Sequence, residues 1–259
     1  MIKNIFLSSI LAAAAIAAIG CNSIKMPDVK PVMPPPSHEI WDGLLKKYVR
    51  PDGFVYYKGL VKDSAELNRY LALLSSSHPQ KSWPREEQMA YWINAYNAFT
   101  VKLIVDHYPV KSIKDIKNGI PFVNTVWDIR FINIQGEEYD LNNIEHGYLR
   151  KRFKDARIHA AVNCASYSCP RLLNEAFTAD KLESQLDKAM RSFINDPARN
   201  KVSADNAEIS SIFSWFSGDF KKDAGSVRAF INKYAEVKLN ENGSISHMKY
   251  NWSLNEATE

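Results

Sequence analysis

RIHAAVNCASYSCPRLL, residues 157–173, is the stretch around which the fold of this chain is organised. Its first part, Arg157 to Val162, is short and mostly apolar, a pattern that predicts a core strand. The chain then continues through small polar residues to Pro170, which blocks a simple continuation of regular structure. Because rigid scaffolds usually present reactive groups on loops, we expect this loop to carry the functional site.

The loop brings a thiol, an imidazole, an amide and hydroxyls into one short segment. These groups belong to His159, Asn163, Cys164, Ser166, Ser168 and Cys169. A thiol becomes a nucleophile or a metal ligand only when its surroundings favour the thiolate. The segment therefore favours three kinds of chemistry, namely a thiol enzyme, a disulfide or a metal site.

The composition and the small net charge argue against a nucleic-acid-binding protein. The chain has 259 residues, of which 46% are hydrophobic and 24% charged, as in an ordinary globular protein. Its net charge of +4 is small, and no basic stripe stands out. Nucleic-acid binding is therefore not indicated. We expect no nucleic-acid partner and no cofactor.

The first twenty residues have the pattern of a bacterial signal peptide. Lys3 supplies a positive charge, and Ile5 to Ile19 is apolar and too short for a comfortable membrane span. The tetrapeptide that ends at Cys21, AIGC, resembles the lipobox of bacterial lipoproteins. Cleavage before Cys21 and lipidation of its thiol are therefore expected, and an ordinary secretory signal is the alternative.

The next segment predicts a tether to a membrane. Residues 21–37 are rich in proline and have no periodicity, so they read as an extended spacer before a domain at residues 38–259. We expect the protein in the bacterial cell envelope, anchored by the lipid on Cys21 to a membrane facing the periplasm or the cell surface. Disulfides persist in such a compartment.

The rest of the sequence predicts a single α+β domain. Residues 83–106 are apolar on nearly all sides at helical spacing, which predicts a central buried helix. Residues 126–141 alternate like a hairpin, with Gln135 and Gly136 at its turn. Residues 227–234 form a further helix pattern. We therefore predict a central buried helix packed with a small, mostly antiparallel sheet.

Two pairs of polar residues stand out on the predicted helices. Asn94 and Asn97 lie three residues apart on the central helix and share one side of it. Because buried amides need partners, they either brace the site loop or tie backbone segments together, and we favour the second role. Glu145 and His146 are adjacent on a later helix, about 100° apart, so only one faces the site squarely.

Five blocks of sequence carry a resemblance to a known family. They are YWINAYNAFT (91–100), LNNIEHGYLR (141–150), RIHAAVNCASYSCPRL (157–172), SIFSWFSGDF (211–220) and YNWSLN (250–255). Together they resemble the family catalogued as domain of unknown function 547. The resemblance implies an α+β domain, distantly similar to papain-like and transglutaminase-like thiol enzymes. Both candidate histidines precede the cysteine, as expected of a circularly permuted version.

The first functional hypothesis is a thiol hydrolase or acyl transferase. Cys164 would be the nucleophile, His159 its base, and Glu145 the group that orients the base. His146 is the alternative base. Asn163 and backbone amides of the loop would supply oxyanion donors. The substrate would be a peptide or an acyl group, which the sequence does not identify further.

The second hypothesis joins Cys164 and Cys169 in a disulfide and makes the protein a non-catalytic binding module of the envelope. Its candidate binding residues are Asn94, Asn97, Asn163, Ser168 and Cys169. The third hypothesis is a zinc site, although the spacing of the ligands matches no standard zinc motif. Its ligands would be Cys164, Cys169, His159 and either His146 or Glu145. Trp127, Trp215 and Trp252 either line a groove for sugar or peptide or pack in the core, and we favour the core.

Overall fold

The computed structural model describes residues 33–117 and 125–258, and these fall in one unit. The predicted signal peptide, Cys21 and most of the predicted tether lie outside the described residues. Within the described ranges, no helix has both the length and the apolar character needed to cross a membrane.

Three helices form the first layer of the fold. They are α1 (Glu39–Tyr48), α2 (Tyr57–Lys62) and α3 (Ser64–Ser75). In α1 the apolar side chains repeat at helical spacing, so Trp41, Leu44 and Tyr48 share one buried face. All three helices turn their apolar faces towards the same large core.

Helix α4 (Arg85–His107) is the centre of that core. Its middle section, from Met89 to Val101, is buried without interruption, which explains why its sequence has apolar residues on nearly every side. Helices α2 and α3 pack against it. Tyr91 adds a buried hydrogen bond from its hydroxyl to the Leu74 carbonyl, at 2.8 Å. The prediction of a central buried helix is confirmed.

The strands form two small sheets. They are β1 (Ile132–Ile134), β2 (Glu137–Tyr139), β3 (Lys201–Val202), β4 (Asn206–Ile209) and β5 (Ser244–His247). The β1–β2 hairpin turns at Gln135 and Gly136, which both have positive φ, as its sequence predicts. In the second sheet β3 pairs antiparallel with β4, and β4 pairs parallel with β5. The sheets are therefore small and mostly antiparallel, as predicted.

A π-helix (Asn143–Phe153) and the single-turn helix α5 (Ile158–Ala161) lead into the site loop. The prediction of a strand at residues 157–162 is wrong. An apolar run of this length has too few residues to distinguish the helical period from the strand period, and its two alanines favour the helix. Arg157 fixes this turn through ion pairs with Asp155 and Asp187, at 2.7 and 2.8 Å.

The remaining helices build a second, smaller core. They are α6 (Leu182–Ile194), α7 (Ile212–Trp215), α8 (Ser217–Ala224) and α9 (Val227–Tyr234). Phe193, Phe213, Phe220 and Phe230 fill this core and are almost fully buried. Together the two cores and two small sheets make up a single α+β domain, in agreement with the predicted fold class.

An extended segment, residues 250–257, crosses between distant parts of the chain. The Tyr167 amide donates to the Ser253 carbonyl at 2.7 Å, and the Asn255 amide donates to the Ala165 carbonyl at 3.2 Å. On its other side the Val55 amide donates to the Asn255 carbonyl at 2.9 Å. The site loop is therefore held by residues that lie far from it in sequence.

Candidate functional site

One cavity of about 190 Å³ collects the reactive side chains of the predicted site. Its wall takes residues from both cores, since Tyr96 and Val162 belong to the first and Ile212 to the second. The predicted site residues on its wall are Glu145, His146, His159, Cys164 and Cys169. The amide and hydroxyl residues of the prediction lie behind or beside this wall.

Asn94 and Asn97 hold backbone from the central helix. The Asn94 side chain accepts a hydrogen bond from the Phe177 amide at 3.0 Å and donates to the Phe177 carbonyl at 2.7 Å. One turn later, Asn97 accepts from the Asn163 amide at 2.8 Å and donates to the Ala161 carbonyl at 2.9 Å. Both amides therefore tie backbone segments to α4, and Asn97 does so at the start of the site loop.

The polar side chains of the loop are used to shape it. The Asn163 side chain accepts from the Ala165 amide at 2.8 Å and donates to the Pro170 carbonyl at 2.7 Å. This turn places Ala165 at a φ of +58°, in the left-handed region. The Ser168 hydroxyl accepts from the Asn251 amide at 2.9 Å. The amide of Asn163 that was predicted as an oxyanion donor is thus already engaged with backbone.

Cys164 and Cys169 form a disulfide with their Cα atoms 6.2 Å apart. Cys169 is buried, whereas Cys164 is partly exposed. The Cys164 sulfur lies 3.2 Å from the Ser166 hydroxyl and 3.3 Å from the Tyr250 hydroxyl. Among the described residues, no imidazole makes a hydrogen bond to it. Cys164, the less buried residue of the pair, is therefore the one whose sulfur two hydroxyls approach.

His159 lies on α5 with its ring almost fully buried. Its Nε2 is 2.9 Å from Asp219 Oδ2, and its ring stacks on Phe216 with centroids 4.1 Å apart. Burial lowers the pKa of His159, and the hydrogen bond to Asp219 opposes that shift. The same bond, with one from Arg150 at 2.6 Å, holds the pKa of Asp219 well below its usual range. The result is a neutral imidazole that donates a hydrogen bond to an ionised carboxylate.

Asp219 is the site residue that the sequence analysis missed. The group predicted to orient the imidazole was Glu145, yet the carboxylate bonded to His159 comes 60 residues after it in the chain. Contacts at such separations leave no local pattern. The available signal was the SIFSWFSGDF block, in which Asp219 is the only acidic residue.

Glu145 and His146 diverge, as their adjacency on a helix predicts. Glu145 is buried, and this desolvation raises its pKa to about 7, against the lowering effects of Arg150 and the Tyr96 hydroxyl. His146 is exposed at the rim, with Nδ1 at 3.1 Å from an Arg150 nitrogen. Partial burial and Arg150 lower its pKa. The cavity thus contains a buried acid that titrates near neutral pH.

Aromatic rings form much of the cavity wall, and they come from Tyr96, Trp127, Trp215, Phe216, Tyr250 and Trp252. Trp215 is 50% exposed and stacks on Trp252 with centroids 5.9 Å apart. Tyr250 and Trp127 contact Trp252 at 4.5 and 5.5 Å. The prediction that Trp215 packs in the core is therefore wrong. The other two tryptophans, Trp127 and Trp252, are partly buried and also line the cavity.

The zinc hypothesis finds no support in the described parts of the chain. Within residues 33–117 and 125–258, no group of three or more His, Cys, Asp or Glu side chains is arranged to hold a metal ion. The two sulfurs are joined to each other, and His159 is bonded to Asp219.

Comparison with known proteins gives a family and no activity. A family model described as "Protein of unknown function, DUF547" matches residues 80–194. This range includes α4, the site loop and α6, and it excludes Asp219 and Tyr250. No curated protein matches the chain, and no solved structure matches it. The relation to papain-like and transglutaminase-like enzymes stays a prediction.

Proposed function

Residues 80–194 belong to the DUF547 family, and on that framework we propose a thiol-dependent hydrolase or acyl transferase of the bacterial cell envelope. One observation carries the proposal. A single cavity holds the partly exposed Cys164 and His159, whose ring is fixed by the Asp219 carboxylate. A nucleophile, a base and a group that orients the base are the components of acyl transfer through a covalent intermediate.

The chemistry starts from the reduced form of Cys164. Its thiol proton passes to His159, and the sulfur attacks the substrate carbonyl carbon to form a C–S bond and an oxyanion. Collapse of this intermediate breaks the bond to the leaving group, which takes the proton from His159. Water or another acceptor then cleaves the thioester and regenerates the thiol.

Two hydroxyls support this role of Cys164. Ser166 donates to the Tyr250 hydroxyl at 2.9 Å, which leaves the Tyr250 proton free to point at the Cys164 sulfur. Burial raises the pKa of Tyr250 to about 12, so it stays protonated and can donate to a thiolate. In the disulfide form the backbone amide of Cys164 donates to the Cys169 sulfur. If reduction breaks that hydrogen bond, the amide would serve as an oxyanion donor.

The disulfide form has no nucleophile, so the proposed enzyme is latent until it is reduced. A dithiol reductant would supply two electrons and two protons and would itself become a disulfide. Since Cys164 is the less buried residue of the pair, we expect exchange to begin at its sulfur and to release Cys169 as a thiol.

Alkylation of two matched variants tests the proposal. In Cys169→Ser the thiol of Cys164 is free, and in Cys164→Ser only the buried Cys169 remains. We expect iodoacetamide to label Cys164 without reductant, with an apparent pKa below the ~8.5 of a free thiol. His159→Ala should abolish that lowering. Labelling at the pKa of a free thiol, unchanged by His159→Ala, would contradict the proposal, as mass spectrometry of the adducts would show.

The bonded sulfurs favour a second candidate, a binding module stapled by the disulfide. In such a module we expect Cys164 and Cys169 to stay linked under the reducing conditions that would activate an enzyme.

Both candidate functions include the lipid anchor on Cys21. Metabolic labelling with palmitate should mark the wild-type chain and not Cys21→Ser, whereas an ordinary secretory signal predicts no label in either.

A further inference from the structure

We propose that the cavity binds an alkylammonium group, held between its aromatic walls and the Glu145 carboxylate. The proposal goes beyond the thiol chemistry, because such binding requires no free thiol at Cys164. It rests on four features of the described residues: the rings, the buried carboxylate, the surrounding charges and the size of the space.

Two rings of the cavity wall already have a cationic side chain close to one face. The Lys114 ammonium lies 4.9 Å from the centre of the Trp252 ring, and the Arg150 guanidinium lies 4.8 Å from that of Phe216. Cations bind to aromatic faces at these distances because the ring quadrupole is negative there. Trp215 and Tyr250 stand beside Trp252 on the cavity wall, so a cation inside meets several such faces.

Glu145 is the only carboxylate on the cavity wall among the described residues. It is buried on the π-helix, with the Tyr96 hydroxyl from α4 as its hydrogen-bond partner. A buried carboxylate with so little compensation favours the protonated form. A cation beside it would supply the missing opposite charge and stabilise the ionised form.

Among the described residues, no Lys or Arg side chain lies on the cavity wall. Arg150, from the π-helix, is paired with Asp219, from α8. His146 at the rim and His159 on α5 both have a lowered pKa and are neutral at pH 7. An anionic ligand would therefore meet no opposite charge on the wall, whereas a cationic one meets Glu145.

The size of the cavity limits which part of a ligand can enter it. Its volume of about 190 Å³ is below the ~300–1,000 Å³ that is usual for drug-sized ligands. A primary ammonium on a short alkyl chain, or a trimethylammonium group, fits such a space. Because Trp215 is half exposed at the edge, the remainder of the ligand can extend into solvent.

The first test compares a cation with its neutral isostere. Calorimetry of the oxidised full-length chain in detergent would use choline, n-butylammonium and 3,3-dimethylbutanol, the uncharged isostere of choline. We expect the best ammonium to bind at least about tenfold more tightly than the alcohol. Tighter binding of butylammonium would indicate that the natural ligand presents the primary amine of a side chain. Tighter binding of choline would indicate that it presents a quaternary head group. Equal binding of cation and alcohol, or no binding of either cation, would overturn the proposal.

Variants locate the site. Glu145→Gln should weaken ammonium binding about tenfold and leave the alcohol unaffected. Trp215→Ala, which removes a half-exposed ring of the cavity wall, should weaken ammonium binding as well. Lys114→Met removes the competing cation from Trp252 and should strengthen binding. Unchanged ammonium affinity in Glu145→Gln and Trp215→Ala together would rule out this cavity.

The oxidised protein also separates this proposal from the thiol chemistry. Failure of ammonium binding leaves the alkylation test of Cys164 untouched, and failure of the alkylation test leaves the binding measurement untouched. Affinity should rise with pH through about 7, where Glu145 ionises, and this rise should be absent in Glu145→Gln. A rise that persists in Glu145→Gln would count against Glu145 as the group that meets the cation.

Discussion

At the scale of single residues, Glu145 shows how burial changes the properties of an ordinary side chain. Its carboxyl group sits on the cavity wall with the Tyr96 hydroxyl as its partner, and desolvation raises its pKa from 4.5 to about 7. A solvated glutamate loses its proton at the lower end of that interval. This residue therefore couples the stability of the fold to pH in a range where a solvated glutamate is already ionised.

Glu145→Gln is expected to change the pH dependence of stability. Between about pH 4.5 and 7 the unfolded chain loses the proton that the folded chain keeps, so folding becomes less favourable as pH rises. The raised pKa corresponds to about 3 kcal/mol of unfolding free energy. Glutamine cannot ionise, so this loss is absent in the variant.

Urea unfolding of both proteins at pH 4.5 and pH 8 measures that difference. The stability of Glu145→Gln relative to the wild type should increase by about 3 kcal/mol between the two pH values. The contributions of titrating groups that do not interact with Glu145 cancel in this comparison. A relative stability that is the same at both pH values would show that Glu145 titrates normally.

At the scale of elements, the central helix α4 positions the site. Tyr96 is the one residue of α4 on the cavity wall. Asn94 and Asn97 lie on one side of α4 and hold two different segments, near Phe177 and at the start of the site loop. Each amide satisfies one backbone donor and one acceptor in a buried place. The helix thus sets the position of the site loop through buried hydrogen bonds.

Asn97→Ala and Asn94→Ala form a matched pair that tests this role. Each removes two buried hydrogen bonds from the same helix, so each should lower stability by roughly 2–4 kcal/mol. Hydrogen exchange followed by mass spectrometry should show faster local exchange at residues 158–165 in Asn97→Ala. In Asn94→Ala the faster exchange should instead appear at residues 175–179. The same exchange pattern in both variants would mean that the amides have no separate roles.

The length of a pattern decided which elements the sequence could predict. Helices α4 and α9 were predicted correctly, because each contains at least two full turns of apolar periodicity. The prediction of a strand at residues 157–162 failed because the four apolar residues of this segment fit both the helical and the strand period. The partners of the reactive groups were beyond reach, because Asp219 and Tyr250 meet His159 and Cys164 only through the tertiary fold.

At the scale of the whole molecule, the site extends beyond the region that the family model matches. Residues 80–194 supply Cys164, His159 and Glu145 but not Asp219 or the wall around Tyr250. The same region lacks α1 to α3, which share the first core with α4, and α7 to α9 of the second core. The matched region is therefore part of a larger folding unit.

A fragment of residues 80–194 is expected not to fold alone. Without its neighbours, α4 would expose side chains such as Tyr91, Trp92 and Ile93 that are buried in the complete fold. Circular dichroism during heating should show a gradual change for the fragment and one cooperative transition for residues 33–258. A sharp transition in the fragment, with dispersed amide signals by NMR, would contradict this expectation.

The contact between Cys164 and Tyr250 also has a consequence for biosynthesis. Tyr250 follows Cys164 by 86 residues, which a ribosome adds in roughly 4 to 17 seconds at ~5–20 residues per second. During that interval the thiols of Cys164 and Cys169 have no Tyr250 or Trp252 beside them. Until the walls of the cavity exist, both thiols of a nascent chain are therefore open to any oxidant or foreign thiol that it meets.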